Sequence, residues 1–192
     1  MNSVYLVNHR PQNCEPFKSI TQLPLKEALE VANKLFERNK NSGWMVERFG
    51  QDFEAYYKYR IEIEKYLYEK FIELGGKPKT AHPLYFYVHR WSGVEDAWLN
   101  NETHKIALSE IDASDISFTL GDTCVETDDD YCNQTMNRPG FGIEPFLKGN
   151  FLEVLSLNNN DVEKLIQNVE QQIGYGMIEA QIWNDKYFLC GD

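Results

Sequence analysis

Long apolar runs are missing from this chain. No window approaches the roughly 18 consecutive apolar residues that a membrane-crossing helix requires, so no membrane partner is expected. Familiar catalytic signatures are missing too: there is no Walker loop, Gly-x-Gly-x-x-Gly, His-Glu-x-x-His, Gly-x-Ser-x-Gly or zinc-ligand spacing. Their absence excludes P-loop enzymes and His-Glu-x-x-His proteases, but not families whose sites are assembled from distant residues. Cysteine is sparse, with four residues at Cys14, Cys124, Cys132 and Cys190 and no Cys-x-x-Cys pair. Reduced thiols in a cytoplasm are therefore expected, with a Cys124–Cys132 bridge as the alternative. Positive charge is scarce: 19 Lys and Arg stand against 30 Asp and Glu, a net charge of −11. Such a surface repels a phosphate backbone, and Arg10, Arg48, Arg60, Arg90 and Arg138 are scattered, so nucleic acid is not the expected partner. The first ten residues lack the basic start and apolar core of a secretion signal, which again points to a cytoplasmic address.

What is present is the composition of a globular protein. Hydrophobic residues make up 42% and charged residues 26% of 192 residues. A chain of this length folds as one domain and buries roughly 70% of its unfolded surface, so it needs no disulfide or metal to hold it. Aromatic residues reach 14%, with eleven Tyr and eleven Phe. They supply large apolar contacts and also stack on ligands.

The periodicity predicts a mixture of helices and strands. Val4-Tyr5-Leu6-Val7 reads as a short strand closed by His9-Arg10-Pro11. Pro24 suits a first helical turn, and Leu25, Ala28, Leu29, Ala32, Leu35 and Phe36 follow on one helical face. The strongest helix signal runs from about Asp52 to Leu74, with Asp52 as cap, a Tyr-rich apolar stripe read as core, and Gly75-Gly76 as stop. Leu84 to His89 is bulky on both faces and reads as a central strand covered on each side. Ile106-Ala107-Leu108 and Ile116-Ser117-Phe118-Thr119-Leu120 are further strands, with a helical turn over Asp112 to Asp115 between them. Asn160 with Glu163 opens a helix that Gly174 ends. Met177 to Trp183 and Lys186 to Cys190 flank Asn184-Asp185 as a hairpin. An irregular excursion is expected at about 124–150, most clearly over Cys124 to Gly142. Without regular βαβ alternation, the expected fold is a single α+β domain: a mixed or mainly antiparallel sheet packed against two or three helices.

The acidic stretch Glu126 to Asp130 offers oxygens to Ca²⁺ or Mg²⁺ but lacks the EF-hand glycine and terminal glutamate. It reads as a solvated charge run, and no metal site is expected. His9-Arg10 and His89-Arg90 each end a predicted strand, where an Arg fork can hold a phosphate or carboxylate; the alternative role is an ion pair at the rim. In Ile178 to Trp183, alternation puts Glu179 and Gln181 on one face and Ile178, Ala180 and Ile182 on the other. The polar pair suits either a ligand or an ordinary solvent-facing sheet surface.

That strand resembles the final sheet motif of the ADP-ribosyltransferase superfamily, in which a glutamate stabilises the oxocarbenium ion as nicotinamide leaves. The resemblance implies NAD as cofactor, Glu179 and Gln181 as the catalytic pair, and His89 or His9 on the ribose. It implies Ser117 and Thr119 as pocket wall, and Tyr85 or Tyr87 stacked on nicotinamide. The family places its catalytic glutamate second, where this chain has Gln181. A wider resemblance is carried by His9 to Phe17, Arg48-Phe49-Gly50, Tyr56-Tyr57, Gly75 to Pro78, His82-Pro83-Leu84, Ile116 to Asp122 and Glu179 to Asp185. These stretches are similar to an uncharacterised family of cytoplasmic proteins from low-GC Gram-positive bacteria, and imply one cytoplasmic domain without an assigned activity.

Two functions follow as expectations. The first is a non-enzymatic, regulatory domain that binds a small anionic ligand or a protein partner without a cofactor. Its candidate contacts are His9, Arg10, His89, Arg90, Tyr85, Tyr87, Ser117, Thr119 and Trp183. The second is an NAD-dependent ADP-ribosyltransferase-like enzyme. A homodimer is compatible with either.

Overall fold

The computed structural model describes residues 3–11, 18–40, 48–89, 101–123, 144–174 and 176–188. Its strands are β1 (Tyr5–Pro11), β2 (Leu84–Val88), β3 (Asn101–Ala107), β4 (Ile116–Leu120), β5 (Phe146–Leu147) and β6 (Ile178–Ile182). They form one sheet in the order β3-β1-β2-β6-β4-β5, and every pairing of named strands is antiparallel. Four α-helices are present among the described residues: α1 (Leu25–Asn39), α2 (Phe53–Glu73), α3 (Lys148–Leu157) and α4 (Val162–Ile173). The fold is α+β on an antiparallel sheet, as expected, with more helix than the two or three elements anticipated.

Alternation along the central strands divides the interior into two unlike halves. Leu84, Phe86 and Val88 of β2, Ile116 and Phe118 of β4, and Ile178, Ala180 and Ile182 of β6 share one face. There they meet Phe151 and Leu155 of α3 and Val162, Leu165, Ile166 and Val169 of α4 in one apolar cluster. The Phe118 and Phe151 rings stack at 4.7 Å, closing this half.

The opposite face is covered by α1 and α2 through two smaller clusters. Near the start of α2, Phe49 and Phe53 join Ala28, Ala32 and Leu35 of α1. Near its end, Leu67 and Phe71 enclose Trp183, whose ring stacks on Phe71 at 5.7 Å. Between these apolar ends lie the buried Arg60 and Glu64, over the polar row of the sheet. The helix stops as its glycines predict: Gly75 adopts φ +98°, a conformation most side chains resist, and a Cβ on Gly76 would lie 2.4 Å from the Phe71 ring.

Several local expectations change in the structure. Asp52 precedes α2 without a side-chain capping bond. The cap of α4 is Asp161, accepting from the Lys164 amide at 3.1 Å, and not Asn160, which takes φ +56° just before it. β1 continues through His9 and Arg10 to Pro11 because β3 pairs along its full length. β3 correspondingly begins at Asn101, well before Ile106. The terminal hairpin does not form over the described residues: Asp185–Tyr187 is a 3-10 turn. The reason is topological, since β6 is already paired by β2 on one side and β4 on the other. Helix α3 and β5 occupy residues 146–157, partly where the irregular excursion was expected. Cys14, Cys124, Cys132, Cys190, Arg90, Arg138 and residues 124–143, including the acidic run, lie outside the described residues.

Candidate functional site

Antiparallel register brings most of the nominated residues onto the face beneath α2. Two cross-strand rungs run side by side: Tyr85–Gln181–Ser117 and Tyr87–Glu179–Thr119. Alternation put these residues on one face, but whether that face met solvent, ligand or helix depended on what crosses it. The answer is α2. Glu179 is 2% exposed, while Gln181, Ser117 and Thr119 are fully buried.

Buried polar groups must be paired, and here they pair with one another. The Trp183 indole N–H donates to Ser117 Oγ at 2.9 Å, and the Ser117 hydroxyl donates to Gln181 Oε1 at 2.9 Å. Gln181 Nε2 donates to Thr119 Oγ1 at 2.9 Å and to Glu179 Oε2 at 3.3 Å. The same Glu179 oxygen accepts the Thr123 hydroxyl at 2.5 Å and the Thr123 amide at 3.3 Å. Arg60 Nη1 then donates to Thr123 Oγ1 at 3.4 Å, linking the sheet network to α2.

The chain of contacts continues toward the surface. Arg60 Nε donates to Glu64 Oε1 at 3.2 Å, and its guanidinium lies 3.7 Å from the centre of the Tyr85 ring. Glu64 also accepts from the Thr21 hydroxyl at 3.1 Å and meets His82 Nδ1 at 2.7 Å. His82 is the partly exposed end of this seam, its side chain 26% accessible. Burial pushes the Glu179 carboxyl up to about 7; the nearby Asp122 charge adds to this, and Arg60 and the Thr123 bonds oppose it. Tyr87 is raised well above the ordinary phenol value by burial, then by Asp122 and Glu179.

The remaining candidates lie elsewhere. Arg10 is held by Glu102, Nε at 2.6 Å and Nη2 at 2.5 Å, so its fork faces a carboxylate of the fold. His9 Nδ1 meets Thr103 Oγ1 at 3.1 Å on the same strand pair. His89 bonds Glu163 of α4 at 2.9 Å, in the layer that covers the apolar face, and so is not part of the Glu179 cluster. An open cleft of about 500 Å³ adjoins it, lined by Ser3, His89, Asn159, Asn160, Asp161, Val162 and Glu163. Among the described residues, no group of three His, Cys, Asp or Glu side chains is arranged to hold a metal ion.

Arg60, Glu64, Thr21, His82, Asp122 and Thr123 were not nominated from sequence as site residues. A signal did exist: Arg60 and Glu64 fall on the same helical stripe as Phe53, Leu67 and Phe71, where apolar residues are the rule. No family model matches the chain, and neither a curated protein nor a solved structure matches it. Fold and site together define an antiparallel α+β domain with an ionic seam enclosed between its central strands and one long helix.

Proposed function

We propose that the chain is a non-enzymatic, regulatory binding domain whose small polar ligand enters the cleft beside His89. The observation that carries this reading is the state of the alternative catalytic pair. Glu179 and Gln181 are buried and hydrogen-bonded within the fold, whereas His89 borders an open cleft of about 500 Å³. That volume lies within the ordinary range for small-molecule sites. Asp161 and Glu163 bring carboxylates to the same cleft, which favours a neutral, hydroxyl-rich ligand over an anion.

The second reading is an NAD-dependent ADP-ribosyltransferase-like enzyme. It is favoured by the register that sets Tyr85, Tyr87, Ser117 and Thr119 around Glu179 and Gln181. It requires α2 to move before a dinucleotide can reach the carboxylate.

Thermal melts in the presence of millimolar NAD, ATP, GTP and simple sugars separate the two. A ligand at about 100 times its dissociation constant stabilises by ~2.7 kcal/mol, which raises the melting temperature of a chain this size by roughly 5–11 °C. The binding reading expects such a rise with one compound, abolished by His89→Ala. NAD consumption that disappears in Glu179→Ala would replace it with the transferase reading. No rise with any compound would overturn the small-ligand reading in favour of a protein partner.

A further inference from the structure

The two edges of the sheet are built differently. Among the described residues, β5 closes one side with two residues, whereas β3 closes the other with seven. The register of β3 against β1 runs without a bulge from Tyr5↔Ala107 to Pro11↔Asn101, and β3 itself contains no proline. An edge strand presents half of its amides and carbonyls to a further strand, and proteins blunt such an edge by shortness, a bulge, proline or an outward lysine. β3 uses none of the first three. Its one lysine, Lys105, lies back over the Tyr5 ring of β1 at 4.0 Å.

One carboxylate oxygen is left over at this edge. Arg10 Nε, Arg10 Nη2 and His104 Nε2 all converge on Glu102 Oε1. Among the described residues no hydrogen bond engages Oε2, and the Glu102 side chain is 34% exposed.

We propose that two copies of the chain pair antiparallel through β3, about a twofold axis at Thr103, joining their six-stranded sheets into one continuous sheet. Directly opposed residues of antiparallel strands share a face, so the twofold axis must pass through a residue that meets its own copy. With the axis at Thr103, each Glu102 stands opposite His104 of the second copy. The two carboxylates and two imidazoles then alternate like the corners of a checkerboard, with an Arg10 behind each carboxylate. An axis at Glu102 or Lys105 sets like charges opposite each other, and one at His104 sets Glu102 against Ile106. The strand is thus self-complementary in charge in a single register, which favours a second copy over an unrelated peptide. The net charge of −11 on each copy opposes the union from a distance.

Sedimentation equilibrium at about 0.15 M salt, where charges more than about 8 Å apart are largely screened, is expected to show a reversible dimer. Glu102→Lys and His104→Glu should each weaken self-association by on the order of tenfold, because each loses the complementary pair on both sides of the axis. Mixed in equal amounts, the two variants should associate again, since every opposed pair then combines a carboxylate with a basic side chain. Cross-linking gives a readout that leaves these charges in place. Directly opposed residues have Cα atoms about 4.5–5.5 Å apart, within disulfide reach. Oxidised Thr103→Cys should therefore link two copies beyond the background that the native cysteines give in the wild type. Lys105→Cys, which stands opposite Asn101, should not. A wild type that stays monomeric at every concentration, folded variants that do not complement each other, or equal cross-linking at both positions would overturn the proposal. Should either charge variant fail to fold, the cross-linking decides.

Discussion

Replacing Arg60 with methionine is expected to lower the unfolding free energy by about 3–5 kcal/mol, since it leaves a buried carboxylate without its cation. The side chains of Arg60 and Glu64 are 7% and 0% exposed, so water cannot take over the solvation of Glu64. Thr21 and His82 would remain as its partners, and the Tyr85 ring would lose the guanidinium above it. The same helix supplies a contrast at the same i,i+4 spacing. Lys58 and Glu54 pair at 2.7 Å, but both are more than half exposed. Breaking that pair should change stability by less than about 1 kcal/mol. The double variant Arg60→Met, Glu64→Leu should recover most of the loss, because it removes the stranded charge together with its partner. Urea unfolding of the single and double variants measures the coupling directly. A loss below about 1 kcal/mol in Arg60→Met would show that the pair is solvated in solution.

Trp183→Ala should be comparably damaging, by about 3–5 kcal/mol, because a large aromatic side chain is removed from a fully enclosed position. Its ring is stacked on Phe71 and approached edge-on by Tyr68, so the end of α2 would lose the surface it rests on. Ser117 would also lose the indole N–H donor. Trp183→Phe separates these contributions. It retains most of the apolar contact and loses the hydrogen bond, for which a penalty of about 1 kcal/mol is expected. If Phe proved as damaging as Ala, the hydrogen bond rather than the packing would anchor this end of the helix.

Much of the architecture was legible from periodicity. The stripe of α2, the bulky run of β2 and the alternation of β4 correspond to elements observed within a residue or two of where the pattern puts them. Helix α3 was not legible, for a physical reason. Phe151 and Leu155 point inward one turn apart, but Leu152, Val154 and Leu157 are exposed and apolar, which blurs the helical period. Gly149 near its start weakens the signal further. That no returning strand follows Asn184 among the described residues was equally hidden, since local turn residues cannot report that both sides of β6 are occupied.

Strand alternation alone placed Glu179 and Gln181 on one face of β6, with Ile178, Ala180 and Ile182 on the other. It likewise separated Ser117 and Thr119 from Ile116 and Phe118 on β4, because successive side chains of a strand point to opposite sides. Tertiary structure decided what those faces meet. Only the order β2-β6-β4 sets the two polar rungs side by side, and only the path of α2 over them turns a surface into an enclosed ionic seam. Burial is a property of what lies across a face, contributed to Glu179 and Gln181 by residues of α2 more than a hundred positions away in the chain. For that reason the residues of the seam could be read from their own segments, but their protonation, and the difference between a closed interior and an open site, could not.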